Sequence, residues 1–123
     1  MKVYAYKNCS SCQKALKYLD QHNLPYQLLP IVEQPPSLAE LEQMLQHVES
    51  FRNLFNTSGT LYRELKIADR LKAGLSPKEA LQLLSEHGKL IKRPFLLGDK
   101  VGAVGFKPQE WDSLFRENFQ PQG

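Results

Sequence analysis

The chain has 123 residues, with 16 basic and 13 acidic side chains and a formal net charge of +3. That length suits one domain able to bury a core without disulfide staples, and 41% hydrophobic with 24% charged residues exclude wholesale disorder. No apolar run reaches the ~20 residues of a membrane helix, and Met1-Lys2-Val3-Tyr4-Ala5-Tyr6 lacks a secretory signal's apolar stretch and cleavage site. The expected location is the cytoplasm. Basic and acidic residues interleave, apart from a short cluster at Lys89, Lys92 and Arg93, so charge gives no argument for direct nucleic-acid binding.

Residues 2–6 alternate and are rich in aromatics, which predicts a strand. Ser10 and Ser11 can cap a helix running from about Ser11 to His22, with Ala15, Leu16 and Leu19 facing the core. A second strand, Tyr26 to Leu29, is stopped by Pro30. From about residue 35 to residue 88 the chain is mainly helical. Ser37 and Glu40 fit a capping box ahead of an apolar face of Leu38, Leu41, Met44, Leu45 and Val48. Asn56-Thr57-Ser58-Gly59 reads as a turn between short helices. A further helix, Ile67 to Ala73, is closed by Gly74. Ser76-Pro77 starts a helix to His87 with Ala80, Leu81, Leu83 and Leu84 inward. Phe95-Leu96-Leu97 and Val101–Val104 form an antiparallel pair around Gly98-Asp99-Lys100. Pro108 opens a last helix to about Asn118, burying Trp111, Leu114 and Phe115, and Gln120 to Gly123 is expected to fray. Strand, loop, helix, strand is the βαβ opening of a thioredoxin-like domain, with the helical middle as an insertion in one α/β domain.

The two cysteines, Cys9 and Cys12, lie two residues apart at the strand-to-helix junction. A thiol reacts as thiolate, and an unperturbed pKa near ~8.5 leaves little of it at neutral pH. A helix N-terminus supplies N–H groups and the positive end of a dipole. Cys9 is thus the expected attacking thiol and Cys12, one turn on, the resolving thiol; Lys7 adds positive potential. The plainer alternative is a pair of small core residues. A structural zinc site wants four ligands, and His22, His47 and His87 show no ligand spacing. The spacing alone does not separate a reductase from a redox sensor.

Beyond this pair, several stretches resemble the ArsC/Spx family of thioredoxin-fold proteins. They are Val3-Tyr4 followed by Cys9-Ser10-Ser11-Cys12-Gln13-Lys14-Ala15, then Leu54 to Gly59 through Tyr62-Arg63-Glu64-Leu65, then Ile91-Lys92-Arg93-Pro94 and Val104-Gly105-Phe106. The resemblance implies a mixed four-stranded sheet with a helical insertion between βαβ and ββα halves. It also implies that Arg93 and a cis Pro94 stand at the sulfur site; sequence alone would read Arg93 as a surface charge. A guanidinium there would stabilise thiolate and bind an oxyanion through two donors. In family arsenate reductases three arginines surround the oxyanion. Arg93 matches one, Asn56 stands where another is expected with Arg52 and Arg63 nearby, and the third place falls at Ala103-Val104. Tyr6-Lys7-Asn8 replaces the usual Asn-Pro before the nucleophile.

Two functions follow from the resemblance. The first is a thiol-dependent oxidoreductase of the arsenate reductase type: Cys9 attacks an oxyanion or disulfide, and Cys12 or glutathione resolves the adduct. Arg93, Asn56 and Arg63 are then the candidate substrate-binding residues. It implies no bound cofactor and an external reductant, glutathione with glutaredoxin or thioredoxin. The second is a redox-sensing regulator of the Spx type that binds the C-terminal domain of the RNA polymerase α subunit. No strong dimerisation stripe is visible, so a monomer is expected.

Overall fold

The computed structural model describes residues 1–118; the expectation of a frayed tail, Gln120 to Gly123, lies outside them. Strand β1, Lys2–Ala5, buries Val3, Tyr4 and Ala5. It ends one residue before the expected Tyr6, whose carbonyl instead accepts from Cys9 N–H at 3.2 Å in a turn. Helix α1, Ser10–Gln21, begins one residue earlier than expected because its N-cap is Cys9. A sulfur, not a serine hydroxyl, occupies the capping position. Asn23, in left-handed conformation at φ 55°, turns the chain into β2, Gln27–Pro30.

Pro30 does not stop β2 but is its last paired residue, opposite Ala5. The N–H groups of Gln27 and Ile31 point to β1, at 2.8 and 3.0 Å from Met1 and Ala5 carbonyls. Even-numbered residues therefore face the outer edge, where a missing N–H leaves no ladder bond unmade.

The helical stretch comprises α2 (Leu38–Met44), a 3₁₀ turn (Phe51–Leu54), α3 (Thr60–Glu64), α4 (Ile67–Lys72), α5 (Pro77–Glu86) and a second 3₁₀ turn (Gly88–Leu90). Pieces this short do not persist alone. They are held by capping boxes at Ser37/Glu40, Ser50/Asn53 and Ser76/Glu79 and by burial of Leu41, Met44, Leu54, Ile67 and Leu84. Gly74 closes α4 with φ 99°, as expected. Leu38 departs from the expected apolar face: at 41% exposure it points to solvent at the first position of α2. Leu83 is only half-buried. Glu40 ties the stretch to the sheet, since its carboxylate accepts from Tyr4 Oη at 2.8 Å and Lys2 Nζ at 3.1 Å.

Strands β3, Phe95–Leu97, and β4, Gly102–Val104, complete a sheet ordered β2-β1-β3-β4, parallel between β1 and β2 and antiparallel elsewhere. Helix α6, Pro108–Asn118, follows. Side-chain alternation assigns the two faces. Val3, Ala5 and Leu96 pack with Ala15, Leu19, Trp111 and Phe115 of α1 and α6. Tyr4, Phe95 and Leu97 pack with Leu41, Met44, Leu54 and Leu84 of the helical stretch. The mixed four-stranded sheet with helices on both faces is the expected architecture. Among the described residues no helix is long and apolar enough to cross a membrane.

Candidate functional site

The C-terminal end of β1 delivers the chain to the N-terminus of α1, and both thiols sit at that corner. Cys9 is half-buried and Cys12 is 1% exposed. Cys12 N–H donates to Cys9 Sγ at 3.3 Å, and Tyr6 N–H donates to Cys12 Sγ at 3.5 Å. Neither forms a disulfide.

The two environments push the thiols apart. Burial works against ionising Cys9, but the Cys12 thiol and N–H both hydrogen-bond to its sulfur. With the Arg93 guanidinium beside it, the balance falls below an ordinary thiol. Burial, followed by the hydrogen bond to Cys9, pushes the Cys12 thiol up to about 12. A single proton shared between the sulfurs therefore resides on Cys12. Cys9 is the nucleophile-ready member of the pair.

Arg93 reaches this corner from 84 positions further along the chain, and the helical stretch places it. Phe55 and Ile91 form an antiparallel bridge, Asn56 N–H donates to Leu90 O at 2.7 Å, and Lys92 N–H donates to Leu54 O at 2.8 Å. The Arg93–Pro94 bond is cis, as the resemblance implies, and Pro94 O accepts from Gly105 N–H at 2.9 Å. The guanidinium carbon lies 4.6 Å from the Tyr6 ring centroid. Tyr6 thus contributes a cation–π platform for Arg93 and a backbone donor for Cys12. Sequence reasoning left it in the strand; its place directly after β1 and before the thiols was the available signal.

Cys9, Cys12 and Arg93 are brought together, and Pro94 follows Arg93 through the cis bond. Asn56 and Arg63 stay in the adjoining turn: Asn56 Oδ1 accepts from Ser58 Oγ at 3.4 Å, and exposed Arg63 donates to Ser58 O at 3.4 Å. Lys7 is exposed at the mouth of a cleft of about 650 Å³ on the Cys12 side, whose walls include Leu16, Leu28 and Pro30. On the Arg93 side a groove of about 560 Å³ is lined by Ser11, Lys92, Arg93 and Lys107. Among the described residues no group of three His, Cys, Asp or Glu side chains gathers to hold a metal ion. The arrangement suits thiolate chemistry: a nucleophilic sulfur, a second sulfur one turn away and a single guanidinium.

Known proteins share this fold. The sequence matches the family model of the ArsC family over residues 4–114. It is 38% identical over 110 residues to the uncharacterized protein YusI of Bacillus subtilis, spanning 89% of this chain and 92% of that protein. To the global transcriptional regulator Spx of Bacillus subtilis it is 26% identical over 109 residues, spanning 88% of this chain and 81% of the regulator. An ArsC family related protein from Bacteroides fragilis superimposes with a TM-score of 0.83 at 38% identity, over 92% of this chain and 97% of that one. A protein described as a possible arsenate reductase from Streptococcus mutans gives 0.81 at 33% identity, over 90% and 96%.

Proposed function

The chain belongs to the ArsC family, and from that premise we propose that it is a thiol-dependent oxidoreductase of the arsenate reductase type. The observation that carries this reading is the split pair: Cys9 lowered at the α1 N-cap beside Arg93, Cys12 raised and buried behind it. Cys9 thiolate attacks an oxidised centre. With a disulfide, the new bond to Cys9 Sγ forms as the substrate S–S bond breaks and one substrate thiolate leaves. Cys12 then gives its proton to solvent and attacks Cys9 Sγ, closing Cys9–Cys12 and releasing the second thiolate. Two electrons pass from the protein to the substrate. With an oxyanion such as arsenate, Cys9 displaces hydroxide at the central atom. Attack by Cys12 on Cys9 Sγ then leaves the electron pair on that atom. Arg93 holds the negative charge in both cases. Glutathione with glutaredoxin, or thioredoxin, returns the pair to the dithiol.

The test is arsenate-dependent and disulfide-dependent NADPH oxidation, with glutathione and glutaredoxin in one assay and thioredoxin with its reductase in another. Cys9→Ser abolishes turnover. Arg93→Ala loses one charge-assisted hydrogen bond, about 1.5–3 kcal/mol or roughly 10–100-fold in rate. Full turnover by Cys9→Ser overturns the reading.

A second reading, a redox-sensing regulator binding the RNA polymerase α C-terminal domain, is favoured by the likeness to Spx. It expects a complex whose strength differs between the dithiol and disulfide forms. Absence of binding in both forms removes it.

A further inference from the structure

Tyr6 is the first residue past β1, and it touches the three reactive groups of the corner with three different parts of itself. Its carbonyl accepts from Cys9 N–H at 3.2 Å, and its N–H donates to Cys12 Sγ at 3.5 Å. Its ring centroid lies 4.6 Å from the Arg93 guanidinium carbon. The first two contacts are main-chain and survive any side chain at position 6. The third belongs to the ring. That ring is half-buried and packs against the core cluster containing Ile31, Phe55 and Ile91, so it is a fixed surface for Arg93 to rest on.

Arg93 needs such a hold. An arginine side chain has many rotamers to lose on being fixed, and Arg93 also lines the groove in which Glu49 and Glu110 offer carboxylates. Among the described residues the ion pairs are Lys2–Glu40 and Lys107–Glu110, and Arg93 belongs to neither. A carboxylate at the place of Tyr6 would hold the guanidinium more tightly, but it would cancel the charge that favours the Cys9 thiolate. An aromatic face holds the cation without neutralising it. It also leaves the in-plane N–H edge for the sulfur and for negative charge arriving with a substrate.

We propose that Tyr6 is a positioning residue for the reaction at Cys9: its ring holds Arg93 on the thiol side of the corner, with its charge intact and away from Glu49 and Glu110. The inference deepens the oxidoreductase reading and rests on it, by naming what orients the guanidinium that the reading uses. Without the ring, Arg93 turns into the groove toward its carboxylates. Cys9 then keeps its hydrogen bonds from Cys12 but loses the charge that draws an anionic partner to its sulfur.

Two alkylating agents of similar size test this on the reduced protein: neutral iodoacetamide and anionic iodoacetate, each normalised to its rate with free cysteine. The modified residue is identified by mass spectrometry. The iodoacetate-to-iodoacetamide ratio at Cys9 reads positive charge at the sulfur and cancels changes in access. Tyr6→Leu keeps apolar bulk but not the ring. It is expected to lower the ratio about two- to fivefold, the range of a cation–π contact, and to move the Cys9 pH profile upward. Tyr6→Phe restores the ring and rescues both. In an Arg93→Ala background, Tyr6→Leu changes the ratio no further. Should Tyr6→Leu fail to fold, phenylalanines bearing one, two and three ring fluorines at position 6 keep the shape while draining the ring face of negative charge, and the ratio falls step by step. A flat fluorine series, an unchanged ratio in Tyr6→Leu, or an equal loss with and without Arg93 overturns the proposal while the oxidoreductase reading stands. Wild-type protein that reduces neither arsenate nor any disulfide overturns that reading, and the ratios still decide the role of Tyr6.

Discussion

The two faces of the sheet are built differently. On one, α1 and α6 meet in an aromatic cluster: Tyr18, Phe106, Trp111 and Phe115 lie edge-on or tilted at centroid distances of 4.8 to 6.2 Å. Tyr18 Oη donates to Asp112, tying the thiol-bearing helix to the last one. On the other face, short capped helices bury mainly aliphatic side chains. The first face is a few large interlocked pieces, so disturbing one moves α1 and the thiols with it. The second is many small pieces, three of them with capping boxes, and its link to the site is the narrow ladder of residues 54–56 with 90–92.

The contrast is sharpest in large-to-small substitutions. Trp111→Ala and Leu54→Ala each remove a fully buried side chain, with expected costs of about 3–5 and about 2–5 kcal/mol in denaturant unfolding. They should part in the rate of Cys9 alkylation at neutral pH. Trp111→Ala shifts α1 and alters that rate directly, whereas Leu54→Ala loosens the packing beneath the segment whose backbone carbonyl anchors Lys92, and acts on the thiol only through Arg93. If both faces were rigidly coupled, the two variants would change the alkylation rate alike.

Next in size is the pH dependence of the thiols. Because the folded pKa of Cys9 is lowered, its alkylation rate rises with pH and levels off below the range of an ordinary thiol. Cys12 stays protonated until the pH approaches about 12. Arg93→Ala removes a donor and a positive charge, and moves the Cys9 plateau to higher pH. A profile unchanged in Arg93→Ala would place the whole lowering on Cys12.

Smaller effects belong to the caps. Ser76→Ala removes the α5 capping bond at 3.1 Å and should cost about 1 kcal/mol, with Cys9 reactivity untouched. Glu40 caps α2 and also binds Tyr4 and Lys2. Burial raises its carboxyl, but the Ser37 N–H, Tyr4 and Lys2 outweigh that and hold it below the usual range. Its contribution is therefore present above the ordinary carboxylate pKa and is lost as pH falls through the lowered folded value. Glu40→Gln should flatten the acid limb of stability, read as unfolding midpoint against pH.

What was legible in the sequence was local. The capping box at Ser37 and Glu40, the Gly74 stop and the placement of Cys9 at the head of α1 depend on residues within one turn of each other. The strand pair at 95–104 was legible because a turn separates two apolar runs. Tyr6 against Arg93 was not, because it needs β1 and β3 paired and the chain at 91–93 anchored by 54–56. Resemblance to a family brought Arg93 to the thiols where pattern alone left it a surface charge. The proline in β2 misled because its effect depends on which way the strand's N–H groups point, and only pairing with β1 settles that.

Pro30 has one more consequence. Its carbonyl is occupied by Gln34 N–H at 2.8 Å and it has no N–H of its own, so the outer side of β2 offers the backbone groups of Leu28 alone. Strand addition at that edge has the backbone of a single residue to pair with, so β2 does not seed growth of the sheet into a fibre.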